Sequence, residues 1–357
     1  MDVDKNIFAG VFEIDITPPV GTLLAGSLKP RVSVGIEDPL YVKAISIESN
    51  GKKLVYVIFD LVALDRQTAE KGIMIASEKT GIPPDSIVWA ATHTHTGPYT
   101  SGLFLDENQI DRNWLEKIPE KMAQCIIEAD MAKQPVKFCR MRNFHYGLCH
   151  NRRILFKDGR AINTWLLSNA PEQIQSIGSA GPVDPEIGIF CFETLDGKII
   201  AVMFHFTLHT NTNFGPKFSA DYPGVVAARL RERFGPQLIT LFMPGACADI
   251  NTTGPRYREI GNALAEKIIE SIEKRKPYTG FLNLATKKQK ITVPRRDFTV
   301  DQTERIKNSG WNIESQKVFF QEIEELKKEG KTQDDTILQA WRMGECGFVS
   351  FPGELFV

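Results

Sequence analysis

The 357-residue chain has no block of basic residues, no C-x-x-C pair of cysteines, and no apolar run near the about 18 residues that a transmembrane helix needs. Each absence removes a class of function. With a net charge of −1 and no basic patch, the chain lacks the electrostatic footprint of a nucleic-acid binder. Its six cysteines, at positions 125, 139, 149, 191, 247 and 346, are scattered. In a chain this long that pattern reads as reduced thiols and not as a disulfide framework. The first residues, Met1 to Asn6, are acidic and polar and lack the basic and apolar regions of a signal peptide. The expectation is a cytoplasmic protein, or a secreted one if a leader has been removed, with no nucleic-acid partner and no integral membrane segment.

What is present is ordinary for a globular protein with a real core: 42% apolar and 24% charged residues. No repeat or linker divides the chain, so it is expected to form a single large domain over 1–357. Strand patterns at 8–20, 40–48 and 53–61 precede a helix over 66–80 that Gly81 stops. A strand over 86–91 follows, and this strand–helix–strand order favours a right-handed crossover. Helices are expected over 114–133, 220–234 and 260–274, and strands over 136–143, 154–157 and 237–243. A hairpin is expected at 187–206 around Asp196-Gly197. Thr299 and Gln302 have the spacing of a capping box. The charged stretch 298–343 is expected to be a helical insertion or a small subdomain, and 346–351 a last strand. The fold class is therefore mixed α/β.

The most informative segment is Thr92-His93-Thr94-His95-Thr96-Gly97-Pro98, which carries two of the six histidines. Residues two apart on a strand share a face, and the carboxyl ends of strands are where ligands bind in open α/β sheets. His93 and His95 are thus either a metal or acid–base pair or two hydrogen-bonded residues closing a turn. His205 sits in a strand-like run, and His209 follows at a four-residue spacing. Asp60 closes the apolar run before the first crossover helix. Asp221 is either a helix cap or a functional carboxylate. The small residues around Gly245, Cys247 and Asp249 allow close backbone approach to a ligand. Arg152 offers a planar fork for a carboxylate or phosphate group. Glu354 follows a Pro-Gly turn.

Taken in order, these segments resemble the neutral, non-lysosomal ceramidase family. The matching motifs are 10–18, 38–44, 91–98, 151–153, 181–186, 219–224, 245–251 and Pro352-Gly353-Glu354. The resemblance implies a single catalytic domain of multilayered mixed β-sheets flanked by helices, and zinc-dependent cleavage of an N-acyl amide bond in a lipid or small molecule. It places zinc on His93, His205 and Glu354, with His95 and Arg152 as catalytic residues. His209 is then an extra neighbour. Gly245 and Asp249 fall in the substrate-binding motif, and Asp60 and Asp221 are expected to support the ligands from behind. Two departures stand out. The family's serine is matched here by Gly245, which puts ceramide in doubt as the substrate. The family's tyrosine ligand lies after the glutamate with a C-terminal domain, and no residue here matches it. The expected chemistry is attack on the amide carbonyl by a zinc-activated water. The rival readings are a Cys247 thiolate hydrolase and a metal-binding relative that no longer catalyses.

Overall fold

The computed structural model describes residues 6–27, 29–101, 109–164, 176–298, 302–307 and 311–357; the cap expected at Thr299 lies outside them. Eight strands form one sheet: β1 Ile7–Asp15, β2 Tyr41–Ser49, β3 Lys52–Phe59, β4 Ile87–Ala91, β5 Gln134–Phe144, β6 Glu186–Thr194, β7 Ile199–Phe206 and β8 Ile239–Pro244. Their order is β8-β7-β6-β5-β1-β2-β3-β4. The local chemistry is direct. β2 and β3 are joined through Asn50-Gly51, both at positive φ, the two-residue turn whose twist suits a hairpin. Helix α1, Arg66–Thr80, starts where the Asp65 carboxylate accepts the Thr68 amide. It stops at Gly81, whose φ of 69° is the left-handed conformation that glycine adopts freely.

Both outermost pairs of the sheet are parallel, β3 with β4 and β7 with β8, and every other pair is antiparallel. Each parallel pair is bridged by a helix: α1 for the first and α3, Asp221–Phe234, for the second. Helix α2, Ile118–Met131, packs beside α1, and α4, Tyr257–Glu273, beside α3. The helix expected over 114–133 is divided, because Pro119 begins a second helix after the short turn Arg112–Leu115.

The sheet turns a corner at its middle. β1 and β5 share only three residue pairs, from Ile7↔Val136 to Ala9↔Gln134. The two halves therefore stack face to face. Strand alternation divides the apolar residues accordingly. Val55, Val57 and Phe59 pack outward with Ile73 and Met122 of α1 and α2. Leu54, Tyr56 and Ile58 point inward with Phe192, Met203 and Leu241 of the other half. Val202, Phe204 and Phe206 pack outward with Val226 and Leu264 of α3 and α4. The result is four layers, helix–sheet–sheet–helix, as the resemblance implied. Tyr56 crosses the middle, its buried hydroxyl donating to the Phe242 carbonyl at 2.9 Å.

A smaller antiparallel sheet, β9 Leu284–Pro294, β10 Gln333–Met343 and β11 Cys346–Ser350, closes the open side of this core. Trp341 stacks on Tyr56 with ring centroids 5.7 Å apart. The expected helical insertion over 298–343 holds only in part. Thr303–Lys307 and α5, Ile313–Glu329, are helical, but Gln333–Met343 is a strand paired along its whole length with β9. Among the described residues no helix is long and apolar enough to cross a membrane.

Candidate metal centre

Stacking the halves brings the carboxyl ends of both parallel pairs to one rim. The loop after β4 is pinned there by amide donation from Thr92 to Phe59 O and from His93 to Leu61 O. It is tied to the loop after β7 by the amide of His95, which donates to Thr210 O, and by the Thr210 hydroxyl, which donates to Thr92 O. β4 ends at Ala91, so strand alternation does not align His93 with His95. His93 instead adopts φ 66°, a left-handed conformation that costs a non-glycine residue energy and concentrates at functional sites.

Three imidazoles converge at this rim: His93, His95 and His209, whose ligand nitrogens all lie within 4.8 Å of one another. Each ring is fixed by a backbone carbonyl on its Nδ1. The partners are Val62 O for His93 (2.8 Å), Gly26 O for His95 (2.9 Å) and Cys247 O for His209 (3.2 Å). A carbonyl only accepts, so each neutral ring carries its proton on Nδ1 and turns a bare Nε2 lone pair inward. Nε2 of His95 lies 3.3 Å from that of His93 and 3.0 Å from that of His209. Facing lone pairs repel, and a cation between them removes the repulsion. The protein itself disfavours protonation: burial and then neighbouring His93 push His95 down to about 3, and burial with both neighbours pushes His209 well below its usual value. Neutral imidazoles held by Nδ1 donation to carbonyls are the chemistry of metal ligands.

Glu354 completes the ring of donors. Its Oε1 lies 3.4 Å from His93 Nε2 and its Oε2 4.0 Å from His209 Nδ1. The segment that carries it is docked on the loop after β8. The Ala248 amide donates to Leu355 O at 2.9 Å, and the Val357 amide donates to Asp249 Oδ1 at 3.0 Å. The Arg153 guanidinium lies over the Phe356 ring, 5.0 Å from its centroid.

The other anticipated residues take up different positions. His205 is still within β7, on the side of the strand that faces Gly188 of β6 and Gly245, and it stays outside the cluster. The imidazole that joins is His209, three residues past the strand end. The signal that could have found it was the end of the apolar run at Phe206, which places position 209 in the rim loop. Gly245 has no room for a serine: a Cβ there would sit 2.2 Å from Thr207 Oγ1 and 2.9 Å from His205 Nε2. Its amide also donates to Phe206 O and so faces no ligand. Asp249 is buried and accepts from Asn151 Nδ2 at 2.8 Å as well as from Val357. Its place is therefore beneath the Glu354 segment. Arg152 lies within electrostatic reach of Glu354 and Asp249, with its Nη1 3.4 Å from Asn251 Oδ1.

Neither acid expected behind the histidines touches a ring nitrogen. Asp60 accepts from the Tyr41 amide at 3.0 Å and pairs with Lys43 at 3.2 Å, securing the start of β2 to the end of β3. Asp221 accepts from the amides of Thr212 (2.9 Å), Asn213 (2.8 Å) and Tyr222 (2.6 Å) and from the Thr212 hydroxyl, so it fixes the loop that follows His209. Cys247 is buried, and burial with Glu354 pushes its thiol up to about 12, a protonated state unsuited to nucleophilic attack. His209 meets its carbonyl and not its sulfur.

Fold and site together define a four-layer α/β protein with a histidine-rich centre, able to hold a metal ion, at the carboxyl ends of its strands. Two solved ceramidases share this fold. Neutral ceramidase from Pseudomonas aeruginosa superposes with a TM-score of 0.69 over 98% of this chain and 63% of that one, at 17% sequence identity. A ceramidase complexed with C2 gives a TM-score of 0.70 over 98% and 64%, at 18% identity. The chain thus spans somewhat less than two thirds of the length of both, and it shares their fold. By sequence alone, no protein-family profile and no curated protein matches it.

Proposed function

We propose that this protein is a zinc-dependent amidohydrolase acting on an N-acyl substrate, with the metal held by His93, His209 and Glu354. The observation that carries the reading is the convergence of fixed Nε2 lone pairs on one point beside a carboxylate. The donor set fits the ion: neighbouring ligands on a tetrahedral zinc with bonds of about 2.05 Å lie about 3.3 Å apart, Glu354 Oε1 lies 3.4 Å from His93 Nε2, and the ligand nitrogens of His93 and His209 lie within 4.8 Å of each other. Two histidines and a glutamate are also the ligand types implied by the motif resemblance, with His209 taking the place expected for His205. Bound there, zinc supplies Lewis acidity toward a carbonyl and toward water.

The chain's own residues supply the rest. His95 keeps its Nδ1 proton on Gly26 O, which leaves Nε2 to take a proton from the attacking water and return it to the leaving nitrogen, the transient positive charge being favoured by Glu354 although burial and His93 oppose it. The water oxygen joins the acyl carbon, the C–N bond breaks, and a carboxylic acid and an amine leave. Arg152, near Glu354, orients the substrate's polar groups. Glycine at position 245, where the resembling family has a serine, gives no support for ceramide itself, so the acyl amide is left open as a lipid or a small soluble molecule.

Metal analysis of purified variants tests the assignment, paired with a hydrolysis screen of N-acyl amides. His93→Ala and His209→Ala are expected to lose stoichiometric zinc, and His205→Ala to retain it. His95→Ala is expected to retain zinc and to lose turnover by about 10²–10⁴-fold. Full zinc content in His209→Ala would overturn the ligand set. Stoichiometric zinc without hydrolysis of any amide in the screen would leave a metal binder and not an enzyme.

A further inference from the structure

We propose that Arg31 makes this site selective for substrates with a carboxylate beside the scissile amide, so that N-acyl amino acids are preferred over N-acyl amino alcohols. The proposal rests on the hydrolase reading and names its substrate class. Arg31 begins the two-residue strand Arg31–Val32, which pairs with Leu23–Leu24. Its Nη2 reaches back across this hairpin and donates to His95 O at 2.7 Å and to Ala25 O at 3.3 Å. The guanidinium is thereby fastened to the backbone of the proposed acid–base residue, and its charge is felt at the His95 ring.

Three other half-buried arginines have a carboxylate partner: Arg231 has Glu13, Arg275 has Glu193 and Arg153 has Asp249. Among the described residues Arg31 has none. Its Nε is buried without a hydrogen-bond partner, and Tyr99, its nearby titratable neighbour, is a neutral phenol whose hydroxyl donates to Ser27 O. A guanidinium partly removed from water without a counter-ion is under-compensated, and an arriving anion relieves that cost. Arginine binds carboxylates through directional charge-assisted donors, a recognition that a neutral hydroxyl does not match.

The wider charge balance agrees. Arg31 approaches the cluster from the His95 side and Arg152 from the Glu354 side, so two fixed positive charges face one carboxylate around neutral imidazoles. Asp249, the other acid close by, is engaged by Asn151, Val357 and Arg153. Two guanidinium groups thus act on the cluster against the one carboxylate of Glu354, and a divalent ion held there would add further positive charge. Such a field concentrates and orients anions.

The test compares N-hexanoylglycine with N-hexanoylethanolamine, which carry the same acyl amide with and without the carboxylate. The zinc-loaded full chain is expected to favour the glycine conjugate in kcat/KM by about tenfold or more. Arg31→Gln should lower that ratio by about tenfold, and Arg31→Lys by less, because lysine keeps the charge without the fork. If Arg31 only braced the loop, both substrates would slow together and the ratio would stand, which overturns the proposal, as does a wild-type preference for the ethanolamide. Calorimetric binding of N-hexanoylglycine to metal-free protein gives a readout independent of turnover. Binding about tenfold weaker in Arg31→Gln supports the assignment even if neither amide is hydrolysed, in which case only the hydrolase reading falls. Equal binding by wild type and Arg31→Gln overturns it.

Discussion

Asp249 offers the sharpest way to separate the placement of Glu354 from the histidine cluster. It is 1% exposed, and its two oxygens accept from Asn151 Nδ2 and from the Val357 amide, with Arg153 Nη1 at 3.7 Å. Asp249→Ala removes the acceptor for both donors and the partner of a half-exposed guanidinium. Hydrogen bonds to a charged group contribute about 1.5–3 kcal/mol each, so the loss of folding stability is expected to be about 3–5 kcal/mol. The more telling effect is on metal. With the segment after Phe351 undocked, Glu354 no longer meets the imidazoles at a fixed distance, and losing such support costs about 10–100-fold in metal affinity. His93, His95 and His209 keep their own carbonyl anchors, so weak binding should persist. Urea unfolding gives the first quantity and zinc titration against a competing chelator the second. A variant destabilised by several kcal/mol that still binds zinc with wild-type affinity would refute the claim that Asp249 positions Glu354.

Two further outcomes follow from the same geometry. Gly26→Ala would place a Cβ 2.2 Å from His95 Nδ1 at a backbone φ of 78°, so the His95 ring must leave its carbonyl. Zinc content should survive while turnover falls by about 100-fold, and unchanged turnover would show that His95 needs no fixed orientation. Asp38 tests electrostatics behind the site. Burial raises its carboxyl from 3.8 to about 6, although the Ala220 amide and Ser219 hydroxyl favour the charged form. A raised folded-state pKa stabilises fully below 3.8 and loses that contribution as pH rises through 6, here about 3 kcal/mol. The stability of Asp38→Asn relative to wild type should therefore increase between those two pH values, and a flat difference in urea unfolding would refute the assignment.

Local features of the chain were legible wherever one short-range cause dominates. The helix ended by Gly81, the hairpin around Asp196-Gly197 and the crossover leading to His93 all have such causes, and all three form as expected. Gln333–Met343 reads as part of a charged helical stretch because its polar residues alternate with few strong apolar ones. Its pairing with β9 along the whole strand is a long-range effect that propensity does not carry. The same limit explains the histidines. His205 and His209 differ by whether the strand has ended, a boundary that pattern places only to within a few residues. Which ring reaches His93 depends on the corner between β1 and β5, which no local window contains. The motif resemblance reached His93 and Glu354 across that gap, because motif order survives where side-chain contacts cannot be inferred.

The corner in the sheet has a consequence for how the molecule holds together. The halves share three residue pairs of the ladder and are otherwise joined by packing and by a few hydrogen bonds across the seam, among them Tyr56 to Phe242 O and His95 to Thr210 O, so each is suited to open as its own cooperative unit. His93 and His95 belong to one half and His209 to the other, and a metal spanning them is a cross-link between units. Chelation would then do more than silence a site. It would release a staple, and amide exchange should quicken along the seam from Tyr56 to Phe242 before it quickens in the helices outside.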